Sequence, residues 1–211
     1  MGTRSTRIAA LSGVVFVLAL LGAVLITFNS PASDASTAKV QKYLLDHHNR
    51  YAVSALVTVV AIVFGVFFFG YLRAYFRTFA EMEWLSATFF GGAIIFAMSG
   101  AVGAGVDAVI GDHPKLLDAS TLVFLNQLES DLNYPATGAG LAVLYIAAGF
   151  IIYKSKALPA WLAWVSWVLG VASASFVLGF IGLFAMAPWA LIVSIIMASR
   201  NPSLTSAQSE G

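Results

Sequence analysis

The chain has 211 residues, 60% of them hydrophobic and only 10% charged, with a formal net charge of +1. Average soluble domains carry about 25% charged residues, so a water-soluble fold of this size is excluded, and a net charge this small offers no basic surface for nucleic acid. There are no cysteines, which removes disulfides, thiolate metal sites and cysteine nucleophiles.

The apolar residues come in long runs. A spanning helix needs about 20 mostly apolar residues, and six stretches qualify: 8–28, 51–72, 85–110, 134–153, 159–178 and 182–199. The expected fold class is all-α, an integral membrane bundle of about six transmembrane helices with short loops. One transmembrane domain covers 1–200, and the small polar residues of 201–211 form a disordered cytoplasmic tail.

The first stretch follows Arg4 and Arg7 and precedes Asn29-Ser30-Pro31-Ala32-Ser33, a layout shared with signal peptides. Secretory apolar cores run about 7–15 residues, whereas Ile8–Phe28 has 21, so an uncleaved helix is expected. Met1-Gly2 with Thr6 also fits a loose myristoylation pattern, which a spanning helix does not need. Ahead of the second stretch, Ala38–Asp46 sets Val40, Tyr43 and Leu44 on one face, as in a short interfacial helix. In the third, Ala93, Ala97, Ala101 and Gly105 recur every four residues, and Gly100, Ala104 and Ala108 form a second ridge. Both suit close helix approach in lipid. Thr121–Asn133 sets Leu125, Leu128 and Leu132 on one face and Asn126, Glu129 and Asn133 on another. It is expected to run into the fourth stretch with a kink at Pro135. Between the fifth and sixth, Gly179 and Gly182 supply a tight turn, and Pro188 falls near the start of the last helix.

Orientation follows the basic residues. With the N-terminus inside, the inner side holds Arg4, Arg7, Arg73, Arg77, Lys154, Lys156 and Arg200, and the outer side Lys39, Lys42, Arg50 and Lys115. Both termini are therefore expected in the cytoplasm of a cell whose plasma membrane holds the chain. Tyr51 and Tyr134 fall at outer ends, and Tyr71, Tyr75, Trp84, Tyr153 and Trp161 at inner ends, where headgroup belts form.

Asp107, near the outer end of the third stretch, and Glu129 and Asp131, before the fourth, must be neighbours because a short loop joins the two. With Asn126 and Asn133 they are a candidate site for a cation, a proton or an amine. The plain alternative is a wet helix face. His47, His48 and His113 have the donor chemistry of zinc ligands, but adjacent histidines on a helix diverge by about 100°, and no metal site is favoured. Arg73 and Arg77, followed by Glu81 and Glu83, read as an ion-paired anchor or as a site for anionic lipid headgroups. Ser99, Ser166 and Ser173 have no histidine at their depth to act as a base, so no catalytic residue is assigned. No cofactor is expected.

Lys154–Trp164 reads Lys-Ser-Lys-Ala-Leu-Pro-Ala-Trp-Leu-Ala-Trp. Its Ser155, Leu158, Pro159, Trp161, Leu162 and Trp164 make it similar to a recurrent Leu-Pro-x-Trp-Leu-x-Trp segment of small bacterial, notably actinobacterial, multi-pass membrane proteins whose function is not established. Ala160 and Ala163 stand where an arginine and a glycine are common in that family. The resemblance implies a bacterial source and a six-helix layout, and transfers no catalytic residue. Physically, a proline disfavours helix in the residue before it, so the fourth helix must end ahead of Leu158-Pro159, and the proline can open the next.

The leading expectation is a non-enzymatic multi-pass membrane protein that packs with lipid, with itself as a homo-oligomer, or with a membrane partner. The alternative is a small carrier or binder at the outer acidic group. A membrane-embedded metal hydrolase ranks third.

Overall fold

In a computed structural model the described residues are 3–31, 35–79, 81–113, 117–175 and 179–199, and at 3–10, 126, 129–134 and 179–180 the description is of the backbone alone. Among them the chain is all-helical, with six α-helices: α1 Thr3–Thr27, α2 Thr37–Phe76, α3 Glu83–Asp112, α4 Ala119–Ser155, α5 Ala160–Ala174 and α6 Gly179–Ser199. Four segments are long and apolar enough to cross a membrane: Thr37–Phe76, Glu83–Asp112, Pro135–Ser155 and Ile181–Ser199. Leu11–Thr27 and Ala160–Ala174 are shorter apolar helices. The terminal stretch 201–211 lies outside the described residues.

The helix ends follow from local chemistry. The Asp118 carboxylate accepts from the Thr121 backbone N–H at 2.7 Å and so caps α4. At the other end of α4, Lys156 turns left-handed (φ 52°) and its N–H bonds the Ile152 carbonyl. Pro159 then sits at the N-cap of α5. The fourth helix thus stops before Leu158-Pro159, as the residue preceding a proline requires. Glu81, also left-handed (φ 60°), closes the turn between α2 and α3.

Two helices are far longer than a span. At 1.5 Å per residue, the 40 residues of α2 reach about 60 Å and the 37 of α4 about 55 Å, against a hydrocarbon core of about 30 Å. Their N-terminal parts form a separate cap. Val40, Leu44 and Tyr51 of α2 and Leu122 of α4 cluster with Val106 and Ile110 at the end of α3. The expected interfacial helix therefore belongs to α2 and buries its apolar face in protein. A break at His47 (φ −121°) lets it bend onto α3. Tyr51 is likewise buried and bonded to Ser30, not placed in a headgroup belt. The larger core lies along the apolar runs and is rich in aromatics: Phe16, Phe68, Phe69, Phe76, Phe89, Tyr145 and Trp189.

α1 and α3 both pack on α2, α4 packs on α3, α5 and α6, and α6 returns to α1. The tightest seam is between α3 and α4. A Cβ on Gly92 would lie 2.5 Å from the Leu144 nitrogen, and one on Gly140 2.6 Å from the Phe96 nitrogen. The expected ridge of Ala93, Ala97, Ala101 and Gly105 is not that seam. Ala93 is buried, but Ala101 and Gly105 are exposed, and nothing lies within 4 Å of a Cβ on Gly105. Four residues overshoot one 3.6-residue turn by about 40°, so three such steps swing the ridge off the interface by about 120°. Gly179 and Gly182 do not make a turn either, since both lie inside α6. Pro188, tenth in that helix, leaves the Phe184 carbonyl without its i+4 donor. α4 continues through Pro135 as one helix.

A candidate site beneath the helical cap

The cap positions one ionisable side chain inside the bundle. Asp107 lies on α3 between Val106 and Ile110 and is 5% exposed. Its side-chain partner is the Ser54 hydroxyl, itself buried on α2. Its Oδ1 is buried and accepts from no group among the described residues. An unsatisfied carboxylate oxygen in such surroundings carries its full desolvation cost, and it is one of three buried polar atoms without a partner among the described residues, with Arg73 Nε and Trp167 Nε1.

Nearby contacts hold the α2–α3 register. The His48 Nδ1–H donates to the Gly111 carbonyl at 3.2 Å. At Gly111 a Cβ would come 2.6 Å from the Ala52 nitrogen, so only glycine admits this approach. Ser30 and Tyr51 share a hydroxyl–hydroxyl bond of 2.8 Å that ties the end of α1 to the cap.

The other members of the expected acidic group sit on α4, but the side chains of Asn126, Glu129, Asp131 and Asn133 lie outside the described residues. The histidines have separate duties. The His47 ring stacks on Tyr43 at 4.3 Å and its Nδ1 donates to the Tyr43 carbonyl, while His113 caps the end of α3 through its backbone N–H. Among the described residues no three histidine, aspartate or glutamate side chains come together to hold a metal.

The two arginines also part company. Arg77 pairs with Glu83 at 3.2 Å across the α2–α3 turn, with both side chains exposed. Arg73 stands over the Phe90 ring at 5.4 Å, and its Nε is buried with no partner.

Several polar groups of the helices are spent between or within them. Ser99 and Thr137 join α3 to α4 at 2.8 Å, Trp189 Nε1–H donates to Ser166 at 3.0 Å between α6 and α5, and the Tyr145 hydroxyl donates to the Gly182 carbonyl at 2.9 Å between α4 and α6. Ser166 and Ser173 also donate to carbonyls of their own helix. Sequence reading missed Ser54 as the partner of Asp107. Its only signal is a shared helical face with Tyr51 and Thr58, which says nothing of what lies across it. No family model, curated protein or solved structure matches the chain.

Proposed function

We propose that the chain crosses a bacterial plasma membrane six times, with both termini cytoplasmic, and acts without catalysing a reaction, through contacts in the bilayer with lipid, with itself or with a membrane partner. The observation that carries this reading is the division of its side chains. Buried polar groups such as Ser99, Ser166 and Tyr145 are used to join one span to the next. Large apolar side chains meanwhile point outward, among them Leu18 (65% exposed), Phe67 (69%) and Val168 (67%), on α1, α2 and α5. In water such a surface is untenable, and in lipid it costs nothing. Exposed Trp84, Tyr153, Trp161 and Trp164 near helix ends suit headgroup belts and so support the spans, while the orientation rests on the excess of basic residues on one side. The similarity at Ser155–Trp164 supports the bacterial setting.

A second reading, a binder of a small cation or a proton, is favoured by the single unpartnered oxygen of Asp107. Native mass spectrometry after release from a mild detergent, with metal analysis of the same sample, separates the two. The expected result is a chain that keeps phospholipid or emerges as a defined oligomer. A bare monomer that holds a cation, and loses it on Asp107→Asn, would replace the first reading with the second.

A further inference from the structure

α1 and α3 flank α2 on two sides, and between them runs a crevice of about 50 Å³. Phe16 and Leu20 form one wall, Ala97 and Gly100 the other, and Ala61 and Gly65 of α2 the floor. Floor and rim differ in exposure. Phe16, Ala61 and Gly65 are buried, whereas Leu20, Ile62, Ala97 and Gly100 are half-exposed, so the crevice opens sideways between helices. On other faces of the same three helices Leu18, Val63 and Met98 are exposed and apolar, so the surface around the crevice is hydrocarbon too. Thr58, the one hydroxyl residue on the lining, has its methyl 3.9 Å from where a Gly100 Cβ would stand.

The crevice has a charged end. Along α2, Phe69 lines it and Arg73 follows one turn later. Along α3, which runs the opposite way, Ala93 lines it and Phe90 precedes it by one turn. Both helices thus lead to the same place, where the Arg73 guanidinium lies over the Phe90 ring. This cation has no carboxylate partner among the described residues, since Glu83 is taken by Arg77. Its position over the ring leaves the charge beside apolar surface with nothing anionic to meet it. The middle of the crevice, Ile62 to Gly65, is about 12–17 Å from Arg73 along the helix axis. That is the acyl depth of one leaflet, half of a core of about 30 Å.

We infer that this crevice is a phospholipid site, with one acyl chain between α1 and α3 and the phosphate on the Arg73 guanidinium. The inference rests on the spanning reading above and names lipid as one of its contacts. A cation at the mouth of a groove that is otherwise hydrocarbon fits an amphiphile with an anionic head, and the bilayer presents that molecule at that depth. Arg offers planar, charge-assisted donors suited to a phosphodiester.

The test uses the full chain in phosphatidylcholine vesicles doped with a phospholipid that carries a diazirine in one acyl chain. After photolysis, labelled peptides are mapped by mass spectrometry. Labelling is expected to concentrate on α1 around Phe16–Leu20 and on α3 around Ala97–Gly100. Gly100→Leu, whose first side-chain carbon meets only ordinary contacts, is expected to fill the crevice and abolish that label. Arg73→Gln is expected to lower it by roughly fivefold or more, the loss of one charge-assisted contact. A diazirine-tagged fatty alcohol without phosphate should not compete. Label spread evenly over the outward faces and unchanged by either variant overturns the proposal. So does a crevice that Gly100→Leu closes but Arg73→Gln and the alcohol do not distinguish, because it would then hold hydrocarbon alone. Flotation of the chain with alkali-washed vesicles reports the spanning reading separately: a chain that floats but does not label loses only the lipid site.

Discussion

At the scale of single residues, the capped end of the molecule depends on a few polar contacts with clear signs. Asp118, fully exposed at the N-cap of α4, accepts from the Thr121 hydroxyl, the Thr121 N–H and the Ser120 hydroxyl, and these bonds hold its carboxyl below the ordinary aspartate value of 3.8. A group depressed in the folded state adds stability above its unfolded pKa and loses it as pH falls through the folded one. Protection of the amides in the first turn of α4, their exchange rate taken relative to that of the unstructured chain at the same pH, is therefore expected to fall below pH 3.8. Asp118→Ala should already exchange quickly at neutral pH and show no such acid step, while Asp118→Asn should keep much of the cap and lose the pH dependence. An acid step that persists in Asp118→Asn would assign the titration elsewhere.

At the scale of elements, the fold turns on how closely α3 and α4 approach. With backbone atoms 2.5–2.6 Å from any Cβ at Gly92 and Gly140, a side chain there must push the two helices apart. Gly92→Val is expected to destabilise the chain by about 1–3 kcal/mol, the usual cost of overpacking, read as a lower midpoint of unfolding in a denaturing detergent. Gly105→Ala is the control. Nothing lies within 4 Å of its Cβ, so it should be neutral or more stable by up to about 1 kcal/mol, because glycine weakens a helix interior. Equal losses from both would mean that the seam lies elsewhere on α3. The spacing of small residues showed that α3 could make a close contact. It did not show where, because several ridges wind round one helix and only the neighbour selects among them.

At the scale of the whole molecule, the proposed topology has an economical test, since the chain has no cysteine of its own. Single-cysteine variants at exposed positions beside helix ends, Ser36→Cys and Ser120→Cys on the capped side and Thr78→Cys on the Arg77 side, can be labelled in intact cells with a membrane-impermeant maleimide. Ser36→Cys and Ser120→Cys are expected to react directly, and Thr78→Cys only after permeabilisation. The reverse pattern would invert the orientation. Reaction of all three in intact cells would remove α2 and α3 as spans. The cap joins the N-terminal part of α2, the end of α3 and the start of α4.

The helical fold class, the four long apolar segments and the stop of α4 ahead of Leu158-Pro159 could all be read from the residues in order. Each depends on local quantities: the length of an apolar run, the conformational limits of a proline, the reach of a capping carboxylate. The apolar faces of Val40 and Leu44 and of Leu125, Leu128 and Leu132 could also be read, but not that Val40, Leu44 and Leu125 pack together with the end of α3. The pairing of Ser54 with Asp107, the departure of Arg73 from Arg77, and the crevice between α1 and α3 belong to the tertiary structure alone. All three depend on the rotation and axial register of helices distant in sequence, which no single helix encodes, because any face of an apolar helix can meet lipid or protein at nearly equal cost. Composition settles the preference for a helical membrane fold, since a spanning backbone must bond within itself. Packing decides which polar groups end up satisfied and which are left over to bind something else.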